Sequence, residues 1–366
     1  MAEGSVSKNY VQAFPGKIAV ITYVPSINTE DFNSADQLKA KYGEDKVLHY
    51  TMPENFIAEK DVLIDTFAKM AEDKEIKALI ISQAVPGMNA AVDKFKETRD
   101  DAFIIYGINH EPTAESARRA NLIMMPDQAG MGRSMVNQAK KQGAKVFVHY
   151  SFPRHMAIYS LSSCHDSIKK TCEAEGLVFV DAEALDPTAK AGVSGAQKFI
   201  TEDVPKFIAK YGEDTAFFST SCQLQSALIK AVVDCHAIYP QPCCPSPYHG
   251  FPEALGIETD GKLAGLYDII NEICSIAGEK NMSDRLSTWP VSTTMLLTNA
   301  GAEYAIKWVK GGVGKTGIDN TALIECMDNY IDEVVGEECH VHMSSYSEGE
   351  VTYNNFKVVL MSYFDF

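Results

Sequence analysis

At 366 residues, with 46% apolar and 22% charged side chains, the chain carries enough apolar mass for two lobes of about 150 residues and is too hydrophobic to be disordered. With 49 acidic against 33 basic residues its net charge is −16, a surface that repels phosphate backbones and anionic bilayers and so excludes nucleic-acid binding. No run approaches the ~18 apolar residues of a membrane span.

The first 16 residues, MAEGSVSKNYVQAFPG, form an expected tail with neither a basic stretch nor an apolar stretch, so no secretion signal is visible. Met1–Ser5 reads as an artificial leader, and the expectation is that a secretion or lipoprotein signal once stood ahead of it. A tail this short leaves no room for a helix-turn-helix module, which argues against a repressor. From Lys17 short β-branched runs alternate with amphipathic stretches. Strands are expected at 17–23 (KIAVITY), 46–51, 78–82 (ALIIS), 103–108 (FIIYGI) and 122–125, with helices at 31–42 and 58–71. Continuous apolar strands separated by helices imply a parallel sheet covered on both faces.

A helix ending near 140–143 closes this series, and the alternation restarts with strands at 145–150 (KVFVHY), 177–180 (LVFV) and 215–219 (TAFFS). Helices are expected at 161–175, 195–210 and 223–235. Two sheets in series predict an α/β chain of two Rossmann-like lobes joined by a multi-segment hinge. Lobe 1 is expected to hold 17–127 plus about 290–335, and lobe 2 is expected to hold 128–289 plus about 336–366, with the seam near 126–130. Residues 236–252 (HAIYPQPCCPSPYHGFP) hold five prolines in 17 positions, which rules out a helix or central strand and marks a functional loop. A helix at about 262–278, the segment STWP at 287–290, a helix at 299–310 and a last strand at 357–363 complete the chain. KYGED recurs at 41–45 and 210–214, where a shared helix-ending glycine explains both copies.

This order of elements resembles the type I periplasmic (solute) binding protein fold, shared by ribose-type receptors and the sensor cores of sugar-responsive repressors. Phe217–Val232 (FFSTSCQLQSALIKAV) is similar to that family's second-lobe strand and helix. HYSFPRHM at 149–156, AFFST at 216–220, CCPSPYHGFP at 243–252 and RLSTWPV at 285–291 resemble an uncharacterised bacterial family with many lipoprotein members, over nearly all of 17–366. The resemblance implies a solute-binding component of an ABC importer, extracytoplasmic and lipid-tethered, with a permease partner. Its ligand would be small, polar and cyclic (a sugar, nucleoside or vitamin-like compound) and would be held where two lobes close over it.

In such folds contacts come from loops after the strands. In lobe 1 these are Tyr23, Pro25, Ser26 and Asn28, then Ser82, Gln83 and Pro86, then Asn109, His110 and Glu111, and finally Asp127. Turn and capping chemistry is the competing reading for the Asn, Ser and Asp residues. In lobe 2 His149, Tyr150, Ser151, Phe152, Arg154 and His155 crowd one strand exit. Arg154 matches a position where ribose-type receptors often keep an arginine, its fork suited to hydroxyls or a carboxylate. A surface salt bridge is the alternative for it. Ser221 falls where those receptors place an asparagine, with Gln223 as a substitute. Tyr248 and His249 come from the proline-rich loop, and Trp289 from a lobe crossing, where it would stack on ligand or pack the hinge.

Three other patterns carry less. KGGVGKT at 310–316 matches a variant phosphate-binding loop but follows a helix (AEYAIKWVK) rather than a strand. Nine cysteines at irregular spacing are expected to be mostly reduced thiols. The clusters Cys235/His236, Cys243/Cys244/His249 and Cys339/His340/His342 lack the C-x2-C spacing of a structural zinc site, so no metal or other cofactor is expected. No G-x-S-x-G is present, so no catalytic residue is assigned. An enzyme working through His149, His155 or His249 is the alternative reading, and a ligand-sensing domain of a signalling system is a third.

Overall fold

The computed structural model describes residues 14–259, 265–336 and 339–366; the expected 1–16 tail up to residue 13, and the first residues of the helix expected from 262, lie outside them. The strands are β1 (Lys17–Thr22), β2 (Val47–Thr51), β3 (Ile76–Ala84), β4 (Phe103–Asn109), β5 (Leu122–Pro126), β6 (Val146–Ser151), β7 (Val178–Glu183), β8 (Thr215–Ser219), β9 (Ser287–Thr288), β10 (Val341–Glu348), β11 (Val351–Met361) and β12 (Phe364–Asp365). The residues divide into two compact units.

Unit 1 takes the chain up to Met125, with Thr294–Tyr330 and Val341–Val359. Its sheet runs β10-β11-β5-β4-β3-β1-β2. From β5 to β2 the neighbouring strands pair in parallel, as Ala19 with both Leu48 and Leu79 shows. The strand β1 is buried along nearly its whole length, on both faces, because helices cover it on either side. Sequence alternation therefore vanishes and a continuous apolar run remains. The chain steps from β1 out to β2, then returns across β1 to β3. This reversal makes the β1/β3 boundary the place where the loops after the strands leave in opposite directions.

Unit 2 takes Pro126–Thr293, Ile331–His340 and Leu360–Phe366. Its three-stranded parallel sheet has the order β7-β6-β8, with Val148 between Val180 and Phe217. Here the reversal lies between β6 and β8. Single bridges carry the proline-rich segment onward beside this sheet, Ile238 against Ala216 and Tyr239 against Leu286. Its only helical turn is Phe251–Leu255.

The carboxy-terminal region departs from expectation. Residues 336–366 were expected in the second lobe, yet Val341–Val359 belongs to unit 1, because β11 lies against β5 and β10 folds back beside it across a two-residue turn. The expected strand at 357–363 is the end of this longer β11. A helix at Asn320–Val335 also had no counterpart in the sequence reading. The KGGVGKT segment ends the helix Thr293–Val309, with Gly311 in the left-handed region at φ 76°. Its Lys315 folds back, Nζ 3.5 Å from the centre of the Trp308 ring and 2.8 Å from the Trp308 carbonyl. That lysine is turned onto its own helix, where no phosphate cradle forms.

Candidate functional site

The reversal point of unit 2 brings the exits of β6 and β8 side by side. Ser151 closes β6, and its Oγ lies 2.9 Å from Oγ1 of Thr220, the residue just past β8. The Thr220 N–H donates to the Tyr150 carbonyl at 3.1 Å. From the turn after β6, His155 Nδ1 reaches the same Thr220 hydroxyl at 3.0 Å. The imidazole is packed on Phe152, ring centres 4.1 Å apart. Burial, with Arg154 nearby, lowers the His155 pKa, so the ring is neutral at pH 7 and can accept or donate a hydrogen bond. Gln225 fixes the β8 exit from below, donating to the carbonyls of Ser219 at 3.0 Å and Ser221 at 2.7 Å while its own oxygen accepts from the Tyr239 hydroxyl.

Beside this chain of hydroxyls stands a sulfur cluster. Cys222 Sγ lies 3.4 Å from Cys243 Sγ and 3.8 Å from Cys244 Sγ, and Cys243 Sγ lies 3.6 Å from His249 Nε2. All nine cysteines are thiols outside any disulfide. Hydrogen bonds from Cys243, Cys244 and His249 pull the Cys222 thiol far below its usual range. Behind the cluster, a cavity of about 20 Å³ is lined by His149, Cys164, Phe218, Thr220 and Cys243 among others. It has room for about one water.

The other expected contacts fall into three groups. Arg154 is half-exposed and forms a bidentate pair with Asp186, at 2.8 and 2.9 Å; the pair draws the Asp186 carboxyl well below its usual range. Tyr150 and Trp289 are fully enclosed, and the Tyr150 hydroxyl donates to Asp203 at 3.1 Å. Ser221 is buried, whereas Gln223 is exposed and uses its carbonyl to accept from Gln197. Tyr248 is half-buried in the loop that carries His249.

Unit 1 gathers its own polar strand ends. Gln83 Oε1 meets His110 Nε2 at 3.3 Å, and Asn109 Oδ1 accepts from Ser116 at 2.9 Å. Tyr23 packs on Phe56 beside the buried Asp31, and Ser26 donates to Glu54 at 2.6 Å. Three residues are taken by the backbone, Asn28 and Asp127 in the capping role that competed for them, and Glu111 in a role not expected. Asn28 accepts from the Asp31 N–H, Asp127 from the Gly130 N–H, and Glu111 from the N–H groups of Gly87 and Asn89. Sequence reasoning missed Thr220, Gln225, Asp31 and Asp186. Thr220 ends the AFFST motif, and only the sheet order puts it against Ser151. The same reading grouped Cys243, Cys244 and His249 while leaving out Cys222, which chain folding alone brings to them.

A sequence profile described as "Protein of unknown function (DUF3798)" matches residues 16–287. The chain belongs to this family. A relative from Treponema pallidum (strain Nichols), described as an uncharacterized protein, is 33% identical to this DUF3798 protein over 164 residues, 45% of this chain and 76% of its own length. Among solved structures, a protein from Clostridium difficile 630 described as a candidate transcriptional regulator superposes with a TM-score of 0.86 at 22% identity, over 97% of this chain and 100% of that one. The substrate-binding protein of a sugar ABC transport system from Bordetella parapertussis 12822 gives a TM-score of 0.52 at 9% identity, over 96% and 89%. At such identities the likeness establishes the fold. The DUF3798 chain has the type I periplasmic-binding-protein-like architecture, and no helix among the described residues is long and apolar enough to cross a membrane.

Proposed function

We propose that this DUF3798 protein binds a small, polar, cyclic solute at the carboxyl ends of its parallel strands, as the solute-binding component of an ABC importer. The observation that carries the reading is the Ser151–Thr220 bridge across the strand reversal of unit 2, extended by His155. In open α/β sheets that reversal is where ligands sit, and here it presents two hydroxyls and a neutral imidazole. Such groups exchange their mutual hydrogen bonds for those of a ring hydroxyl or ring nitrogen at little cost. Arg154, held flat by Asp186, would supply a fixed donor fork. Gln83, Asn109 and His110 in unit 1 are the second set of contacts assigned by this reading. The substrate-binding protein among the structural neighbours supports the role, as does the acidic chain. Extracytoplasmic placement, a lipid tether and a permease partner belong to the same proposal.

Native mass spectrometry of freshly purified full-length chain tests it, because tight receptors retain their solute. The expected spectrum carries one extra small-molecule mass that denaturation releases. Thermal-shift titration with sugars, polyols and nucleosides should then raise Tm for the matching class. No retained mass and no shift across the panel would remove the reading. Turnover of the retained compound would replace it with an enzymatic one.

A further inference from the structure

We propose that Cys222, Cys243 and Cys244, with His249 as fourth ligand, form a zinc(II) site that fastens the proline-rich segment to the exit of β8. The inference is independent of which solute the protein binds. Zn–S bonds of about 2.3 Å and Zn–N bonds of about 2.0–2.1 Å in a tetrahedron require S···S edges of about 3.8 Å and S···N edges of about 3.6 Å. The structure has S···S separations of 3.4 and 3.8 Å from Cys222, and an S···N separation of 3.6 Å between Cys243 and His249. The three sulfurs all lie within 4.8 Å of one another. His249 meets Cys243 but is not within 4.8 Å of all three sulfurs, so the site requires its ring to turn toward Cys222 and Cys244 to fill the fourth corner. Three thiolates and an imidazole are a soft set that prefers zinc to magnesium or calcium. Four protein ligands close the coordination sphere, which marks a structural site.

The local sequence has a need for such a fastening. Prolines at 240, 242, 245, 247 and 252 remove five backbone donors from the segment. Its backbone pairs with neighbouring strands through single bridges at Ile238 and Tyr239, beside side-chain bonds from Ser287 to the Pro240 carbonyl and from Tyr363 to Gln241. A metal joining Cys222, in the turn after β8, to Cys243 and Cys244 cross-links two segments that the backbone ladder cannot. Adjacent cysteines would bond to each other only through a strained ring, while as metal ligands they need no such ring. In the other cluster, His149, His165 and Asp181, the two nitrogens of His165 each meet a carboxylate oxygen at 3.0 Å, one on Asp166 and one on Asp181, while neither nitrogen of the buried His149 has a hydrogen-bond partner; it offers no thiolate, so it lacks the soft donors that favour zinc.

The test uses full-length chain, reduced and stripped with a chelator, then titrated with zinc and separately with cobalt(II). One zinc per chain is expected in competition with a chromophoric chelator. Cobalt should give thiolate-to-metal charge-transfer absorption and the intense visible bands of tetrahedral geometry. Cys222→Ser and Cys243→Ser should each weaken zinc binding by about a hundredfold or more, and His249→Ala by about tenfold with an altered cobalt spectrum. Cys235→Ser and His165→Ala should bind as the parent does. Zinc should also slow proteolysis within 240–250 in the parent and not in Cys222→Ser. Failure of the reduced parent to take up zinc, or uptake that survives the Cys222→Ser/Cys243→Ser pair, overturns the site. So does a Cys222–Cys243 disulfide found by peptide mapping of the freshly isolated chain. The cobalt spectrum of the parent decides the matter even if a variant misfolds.

Discussion

The carboxylate of Asp31 accepts the backbone N–H of Tyr23 at 2.8 Å, and the residue is wholly buried at the exit of β1. Burial outweighs that hydrogen bond and pushes the carboxyl up to about 6 from 3.8. A carboxyl raised in the fold favours the protonated form, so its contribution is full below pH about 4 and is lost as the pH rises through about 6. Asp31→Asn, which keeps the acceptor for Tyr23, should stabilise the chain at pH 7.5 by up to about 3 kcal/mol. The gain should vanish at pH 4, and urea midpoints at the two pH values check it.

His49 works in the opposite sense. Its Nε2 lies 2.8 Å from the Thr22 hydroxyl and its ring packs on Phe32. Burial first, then Lys39, lowers its pKa to about 4. Its neutral form supports the fold above pH 6.5, and that support drains away as pH falls toward 4. The two residues therefore offset each other over one window. His49→Gln should make the parent less acid-sensitive between pH 6.5 and 4, while Asp31→Asn should make it more so. Parallel slopes for both variants in Tm against pH would refute the assignment.

Gly107 in β4 has no room for a side chain. A Cβ there would stand 2.0 Å from the Ser82 carbonyl oxygen of the neighbouring strand. Gly107→Ala must push β3 and β4 apart, at a cost of at least about 2 kcal/mol. Chemical denaturation measures the loss, and a midpoint equal to the parent's would show that the strands yield freely.

Thr220→Val keeps the shape of the β8 exit and removes the hydroxyl shared by Ser151 and His155. Solute affinity is expected to fall at least about tenfold, or 1.4 kcal/mol, with Tm moving little. Arg154→Ala should also cost affinity while barely changing Tm, since its pair with Asp186 is half-exposed and contributes little to stability. Calorimetry with the retained solute, set beside thermal melts, separates the two effects.

The alternation of helices and strands was readable because β1, β3, β4 and β5 of unit 1 are short apolar runs buried over most of their length. β10 escaped notice for the opposite reason. Its HMSSYS stretch lies on an outer strand with half-exposed side chains, so no apolar run marks it. The residues at the reversal of unit 2 could be named by their place after strands, but their partners could not. Ser151 and Thr220 meet across 69 residues of chain, and Cys222 meets Cys243 across 21. Such pairings are properties of sheet order, which periodicity does not encode. Trp289 illustrates the reverse limit, for nothing in the spacing of a rare aromatic near a crossing told that its ring would be wholly buried.

Strand β7 hydrogen-bonds within its sheet to β6 alone, so its outer row of amides and carbonyls stays open to pairing. The exposed Glu183 stands on this strand, while the Asp181 carboxylate is taken by His165 at 3.0 Å. Like charges meeting edge to edge repel, so Glu183 opposes the zipping of two copies through their rims. Tolerance of crowding would then lean on one acidic side chain, and neutralising it should raise self-association as the concentration rises.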